Sequence, residues 1–296
     1  MTKQPLIGLQ TSTYEHNFDK TALKTVKSIP LLPEMTKKLL TWTIVKQDII
    51  SMCGSNFHVT QSACSELSSL TSEVFRTLDL DHRPEVYIEQ NYFINAYTTG
   101  HQEEAFIVLS SGAVDKLSDT ELQFVVGHEA GHILSGHVLY HLMCAYLGQL
   151  LSSIPGAKMA TMGPLLYWNR MSEFTADRAG LLACQNLDSA LSAIMKMSGL
   201  PEKYYETASV EGFKQQAREF QDKYASTSDK LFKMIEIVTA DHPWTVVRAA
   251  ELIKWYESGE YANIVDNTER KQCPICKSWM LNHELECPSC GHIFKV

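Results

Sequence analysis

The sequence predicts an α+β fold that is predominantly α, with one small antiparallel sheet and a separate metal-held module at the C-terminus. Three observations carry this. The stretch from Ser118 to His137 reads as a capped helix with apolar residues on every side. Three short apolar runs between Val86 and Leu109, punctuated by Gly100 and Gly112, read as strands. Four late cysteines recur as two C-P-x-C pairs.

The length of 296 residues allows one large domain plus a small module, which sets the organisation as residues 1–262, a polar linker 263–271 and a module 272–296. The net charge of −8 argues against a nucleic-acid-binding body. The first five residues, Met1-Thr2-Lys3-Gln4-Pro5, lack the long apolar core of a signal peptide. No run approaches the ~18–20 apolar residues of a membrane span, and the stretch from Leu142 to Ile154 reads as a buried helix. Cys53, Cys64, Cys144 and Cys184 are scattered without pairing logic, which suits a reducing compartment and points to the cytoplasm.

Taken in order, Leu23, Val26 and Ile29 mark a helix that begins near Phe18, and Pro30 and Pro33 interrupt the chain before a helix at 35–45. A further helix covers Cys64 to Leu78. Strands follow at Val86–Ile88, Tyr92–Thr98 and Ala105–Leu109, and an exposed edge of such a sheet can hydrogen-bond an extended peptide.

The helix after Leu117 has a marked start. Ser118 and Glu121 have capping-box spacing, and Leu117 and Leu122 are placed to close a hydrophobic staple. Within it lies His128-Glu129-Ala130-Gly131-His132. Four residues turn a helix by about 400°, so both imidazoles share a face, as two ligands of a tetrahedral Zn²⁺ must. Glu129 is one step round, where a general base can reach a metal-activated water. Ala130 and Gly131 leave room for close packing.

A third ligand is required. Ser135 and Val138 stand where the H-E-x-x-H-x-x-G-x-x-H pattern needs Gly and His, so that subclass fails. His137 lies nine residues after His128, about 900° of continuous helix, which aims it away from the metal face; His141 relates to His132 in the same way, and both read as structural or solvent-facing. Glu173 and Asp177 are four apart on a predicted helix. They read as the glutamate ligand of a gluzincin and a carboxylate that orients a liganding histidine, against the plainer reading of an acidic pair on a solvated face.

Together with Asn95-Ala96-Tyr97-Thr98 and Asp241-His242-Pro243-x-x-x-x-Arg248, these motifs resemble the family of the type I CAAX prenyl protease and bacterial HtpX, over roughly residues 15–255. The resemblance implies a zincin-like, mostly helical zinc endopeptidase. It makes Asn95, Ala96, Tyr97 and Thr98 the substrate-binding edge strand, Glu173 the third ligand and Asp177 its partner shell. It puts His242 where it would stabilise the oxyanion, and Arg248 beside the acidic groups. Those relatives carry transmembrane helices, so this chain looks like a soluble cytoplasmic branch, and membrane-embedded substrates do not carry over.

Cys273-Pro-x-Cys276 and Cys287-Pro-x-Cys290 are two knuckles aimed at one closed Cys₄ zinc site. The module is too short for a core of its own, so metal must hold it folded. It offers a surface for a protein partner, and its basic residues, Arg270, Lys271, Lys277 and Lys295, are few for nucleic acid. The sequence therefore predicts one catalytic and one structural zinc, and hydrolysis of peptide bonds in protein or peptide substrates. The alternative is a ribbon-based adaptor whose larger domain binds peptides or is held latent.

Overall fold

The computed structural model describes residues 3–27, 45–80, 82–101, 104–150, 157–224, 244–266, 270–276, 279–281, 285–287 and 290–294. Of the helix expected at 35–45, only Val45 falls among them. The elements run α1 (Thr11–Tyr14), α2 (Asn17–Lys27), α3 (Val45–Ser55), β1 (Phe57–Val59), α4 (Ser65–Thr77), β2 (Glu85–Glu89), β3 (Ala96–His101), β4 (Glu104–Ser110), α5 (Ser111–Lys116) and α6 (Asp119–Leu134). After these come α7 (Val138–Leu150), α8 (Ala157–Cys184), α9 (Leu187–Met197), α10 (Val210–Lys223), α11 (Thr245–Glu257), α12 (Glu260–Asp266), β5 (Arg270–Gln272) and β6 (Trp279–Leu281).

Helix α6 crosses the core and is buried on all sides from Glu121 to Ile133, as its apolar surround requires. The Ser118 N–H donates to Glu121 Oε2 at 2.7 Å, which caps the first turn. The same carboxylate accepts from Lys196 Nζ and Ser192 Oγ, tying α9 to the start of α6. Burial alone would raise the Glu121 pKa, but these donors outweigh it and hold the carboxyl below its usual value.

Along its other side α6 meets α8 at very short range, because the facing residues are small. A Cβ added to Gly127 would stand 2.3 Å from Ala183 Cβ, and one on Gly131 would stand 2.5 Å from Ala179 Cβ. On the α8 side, a Cβ on Gly180 would lie 2.7 Å from the Phe124 carbonyl oxygen. The room that Ala130 and Gly131 suggested is thus filled by Ala176 and Ala179 of α8.

The sheet has the order β1-β2-β4-β3. It is mixed: β1–β2 and β3–β4 are antiparallel, whereas β2 and β4 run parallel, where antiparallel pairing throughout was expected. The cause is the apolar run of β4. Ile107, Val108 and Leu109 are all fully buried, so this strand takes an inner place and β3 is displaced to the edge. The strand expected at Tyr92–Thr98 begins only at Ala96. Before it, Asn91 Oδ1 accepts from the Phe93 N–H and Ser110 Oγ bonds to Phe93 and Asn95, which bends the chain out of the ladder.

The helical body extends through α12, whose Tyr261 packs edge-on to Trp255 at 5.7 Å. Ile264 and Val265 also lie on the core. Residues 263–266, expected in the linker, are therefore helical, because their apolar side chains recur at helical spacing. Beyond them β5 and β6 form a hairpin in the cysteine module. No helix among the described residues is long and apolar enough to cross a membrane.

The seam makes a direct prediction. Gly180→Ala should destabilise the chain by about 1–3 kcal/mol in denaturant unfolding, because the new methyl meets backbone that cannot yield. Gly54→Ala, in α3 with no atom of the described residues within 4 Å of the added methyl, should instead stabilise by roughly 0.5 kcal/mol. Equal effects at the two positions would contradict the close approach.

Candidate metal centre

The seam brings the two acid-bearing turns of α8 against the two histidines of α6. His128, His132 and Glu173, all buried, each present one donor atom within 4.8 Å of the others. The two imidazole Nε2 atoms are 3.2 Å apart, with Glu173 Oε2 3.5 Å from His128 and Oε1 3.4 Å from His132.

The outer nitrogen of His128 is engaged elsewhere. Its Nδ1 lies 3.0 Å from Asp177 Oδ1, and Asp177 accepts two further bonds from Arg248, Nε to Oδ2 at 2.8 Å and Nη2 to Oδ1 at 2.6 Å. Arg248 Nη1 also approaches Glu173 Oε2 at 3.7 Å. Burial would raise the Asp177 pKa, but the Arg248 guanidinium and His128 reverse that and hold it low; Asp177 in turn raises the Arg248 pKa against its burial.

These donors suit a divalent cation. With Nδ1–H of His128 directed at Asp177, its Nε2 carries a lone pair, and it points at the same place as the Glu173 oxygens and the His132 Nε2. Such convergence is repulsive unless a positive charge sits between. The formal charges agree, since Glu129, Glu173 and Asp177 against Arg248 leave two negative charges. In the metal-free chain a proton substitutes. Burial opposes charge on His128, but Asp177 and Glu173 override it and lift its pKa to about 10, while burial pushes His132 down.

The centre forms the floor of a cleft of about 540 Å³, lined by Asn95 to Thr98 of the edge strand on one side and by His128, Glu129 and Glu173 on the other. Thr98 Oγ1 donates to Glu129 Oε2 at 2.7 Å and reaches the Glu129 carbonyl at 3.2 Å. Tyr97 borders the same cleft, and its hydroxyl donates to Glu89.

The structure thus brings together His128, Glu129, His132, Glu173, Asp177, Arg248 and the segment 95–98. His242 lies outside the described residues. Sequence reasoning misplaced His137. Helix α6 stops at Leu134 and Gly136 turns the chain with φ of 69°, so counting rotation past Ser135 fails. His137 is buried, with Nδ1 3.0 Å from His132 Nδ1. His141 packs edge-on to His132 at 4.6 Å and donates from Nε2 to Ser172 Oγ, whose own proton goes to the Asn169 carbonyl. Asp19 of α2, which carried no sequence signal, lies beyond His137.

In the C-terminal module the sulfurs of Cys273, Cys276, Cys287 and Cys290 lie within 4.8 Å of one another, and none of the four is in a disulfide. Among the described residues the apolar cluster there comprises Cys273, Cys287 and Phe294, the small kind of core that a bound cation holds folded.

Comparison with known proteins supplies the family. The sequence profile of peptidase family M48 matches residues 62–256. The chain is similar to the plastoglobule-localized metallopeptidase 48, chloroplastic, of Arabidopsis thaliana, at 29% identity over 268 residues, covering 89% of this chain and 78% of that one. It is similar to Protease HtpX homolog 2 of Methanosarcina mazei at 25% identity, covering 49% of this chain and 59% of that one. An uncharacterized metalloprotease of Bacillus subtilis, YhfN, shares 36% identity over 93 residues, 31% of this chain and 20% of its own. No solved structure matches the chain. With most of its helical body matched, and a buried two-histidine, one-glutamate centre at the heart of that match, the chain belongs to peptidase family M48 and is a metallopeptidase.

Proposed function

We propose that the chain is a zinc endopeptidase whose catalytic cation is held by His128, His132 and Glu173, with Glu129 as general base. One observation carries the reading: three donor groups from two helices face a single point on the floor of a cleft that Glu129 and an edge strand also border. A Zn²⁺ bound there would lower the pKa of a water to near neutrality and polarise a peptide carbonyl.

The chain's own groups supply the rest. Glu129 takes the proton of the attacking water and later delivers it to the leaving amine. The hydrogen bond from Thr98 holds one oxygen of that carboxylate, which leaves the other for proton transfer. Asp177 keeps the His128 proton on Nδ1, and Arg248 fixes Asp177 by two parallel bonds. The β3 edge from Ala96 to Thr98, with Asn95 before it, offers backbone groups to an extended peptide and would hold the scissile bond over the centre. By resemblance, His242 would stabilise the oxyanion.

We read residues 1–262, continued by α12, as the peptidase unit and 272–296 as a ribbon held by a second, structural zinc. We place the chain in the cytoplasm, on the free thiols of Cys53, Cys64, Cys144 and Cys184.

Glu129→Gln should abolish cleavage of an unfolded protein substrate while leaving bound metal unchanged; turnover retained in that variant would exclude the mechanism. Elemental analysis should find two zincs per parent chain and one in Glu173→Ala. Loading the catalytic site near pH 7 should release a proton, since His128 without metal holds one up to about pH 10. Apparent affinity should therefore fall by about tenfold per pH unit as pH drops, measured by calorimetry in buffers of different ionisation enthalpy.

A further inference from the structure

We propose that Asp19 and His137 are positioning residues for His132, forming a buried hydrogen-bond chain that fixes which nitrogen of this ligand carries the proton. The inference rests on the metal-centre reading above. Asp19, on α2, and His137, in the turn between α6 and α7, are 0% and 1% exposed. His137 Nε2 lies 3.1 Å from Asp19 Oδ2, and its Nδ1 lies 3.0 Å from His132 Nδ1.

With His132 and His137 both neutral, one arrangement of protons satisfies all three groups. A carboxylate only accepts, so His137 Nε2 donates to Asp19. That leaves His137 Nδ1 with a lone pair, which accepts from His132 Nδ1–H. His132 Nε2 is then bare and faces the centre. Asp177 achieves the same for His128 in one step, and Asp19 achieves it for His132 through an intervening imidazole.

The surroundings of Asp19 make the chain directional. Its Oδ1 accepts from Trp168 Nε1 at 2.9 Å and its Oδ2 from Thr175 Oγ1 at 2.6 Å. An indole N–H can only donate. In Asp19→Asn the amide oxygen must therefore face Trp168, which turns the NH₂ toward Thr175 and His137. His137 Nε2 must then accept, its proton moves to Nδ1, and it opposes His132 Nδ1–H. His132 can escape only by carrying its proton on Nε2, the ligating atom. An isosteric change two residues removed from the metal thus disables the ligand.

The test is a Co²⁺ titration of the metal-free full-length chain carrying Cys273→Ser, Cys276→Ser, Cys287→Ser and Cys290→Ser, so that the d–d bands report the histidine–glutamate site alone. Asp19→Asn and His137→Leu should each weaken Co²⁺ binding at that site by roughly 10–100-fold, the usual cost of losing such an outer partner. His137→Gln should bind near the parent level, because its carbonyl accepts from His132 while its NH₂ donates to Asp19. If Asp19→Asn does not fold, the Leu and Gln variants at 137 decide. Thermal unfolding of the metal-free variants supplies the control. Lowered melting with parental Co²⁺ affinity would assign Asp19 and His137 to the fold alone and overturn the inference. A loss in the Gln variant as deep as in the Leu variant would overturn it too. A parent chain that takes up no Co²⁺ at this site sinks the proposed function, and this inference with it.

Discussion

The centre exists because two helices lie closer than ordinary side chains allow. Gly127 and Gly131 on α6 face Ala176, Ala179, Gly180 and Ala183 on α8, and the backbones meet with almost no side-chain spacer. Ligands on one helix then reach ligands on the other with short side chains. Glycine within a helix costs about 1 kcal/mol relative to alanine, so these positions give up intrinsic helix stability for approach distance. The capping of α6 by Glu121 and the anchoring of that carboxylate by α9 offset part of that cost.

What the seam assembles is otherwise an unfavourable object. Three carboxylates and two imidazoles lie in an environment with little water, and each must be answered by a partner. Arg248 answers Asp177 and approaches Glu173, Thr98 answers Glu129, and the Nε2 atoms of the two histidines face the Glu173 oxygens. The same arrangement ties binding to chemistry. Thr98 belongs to the strand that borders the cleft, yet it bonds the carboxylate of Glu129, so a peptide seated on β3 would sit one residue from the group we propose as the general base.

Much of this was legible in the chain. The spacing of His128 and His132, and of Glu173 and Asp177, survives folding because each pair lies within a single helix, where rotation per residue is fixed. The C-P-x-C knuckles were legible for the same local reason. The failures were of two kinds. His137 was misjudged because the helix was counted past Ser135, where Gly136 ends it, and the glycine was the available signal. Asp19 and β1 depend on tertiary contacts that no local pattern records. The parallel β2–β4 pair was missed because periodicity marks a strand but not its neighbours, although the unbroken apolar run of β4 pointed to an inner position.

The central claim is that His128, His132 and Glu173 share one cation. Zinc-edge X-ray absorption on a chain carrying Cys273→Ser, Cys276→Ser, Cys287→Ser and Cys290→Ser would isolate that centre from the thiolate site. The account predicts bound zinc whose first shell contains two imidazole nitrogens and carboxylate oxygen at about 2.0–2.2 Å. A shell without imidazole scattering, or a variant that retains no zinc, would contradict it.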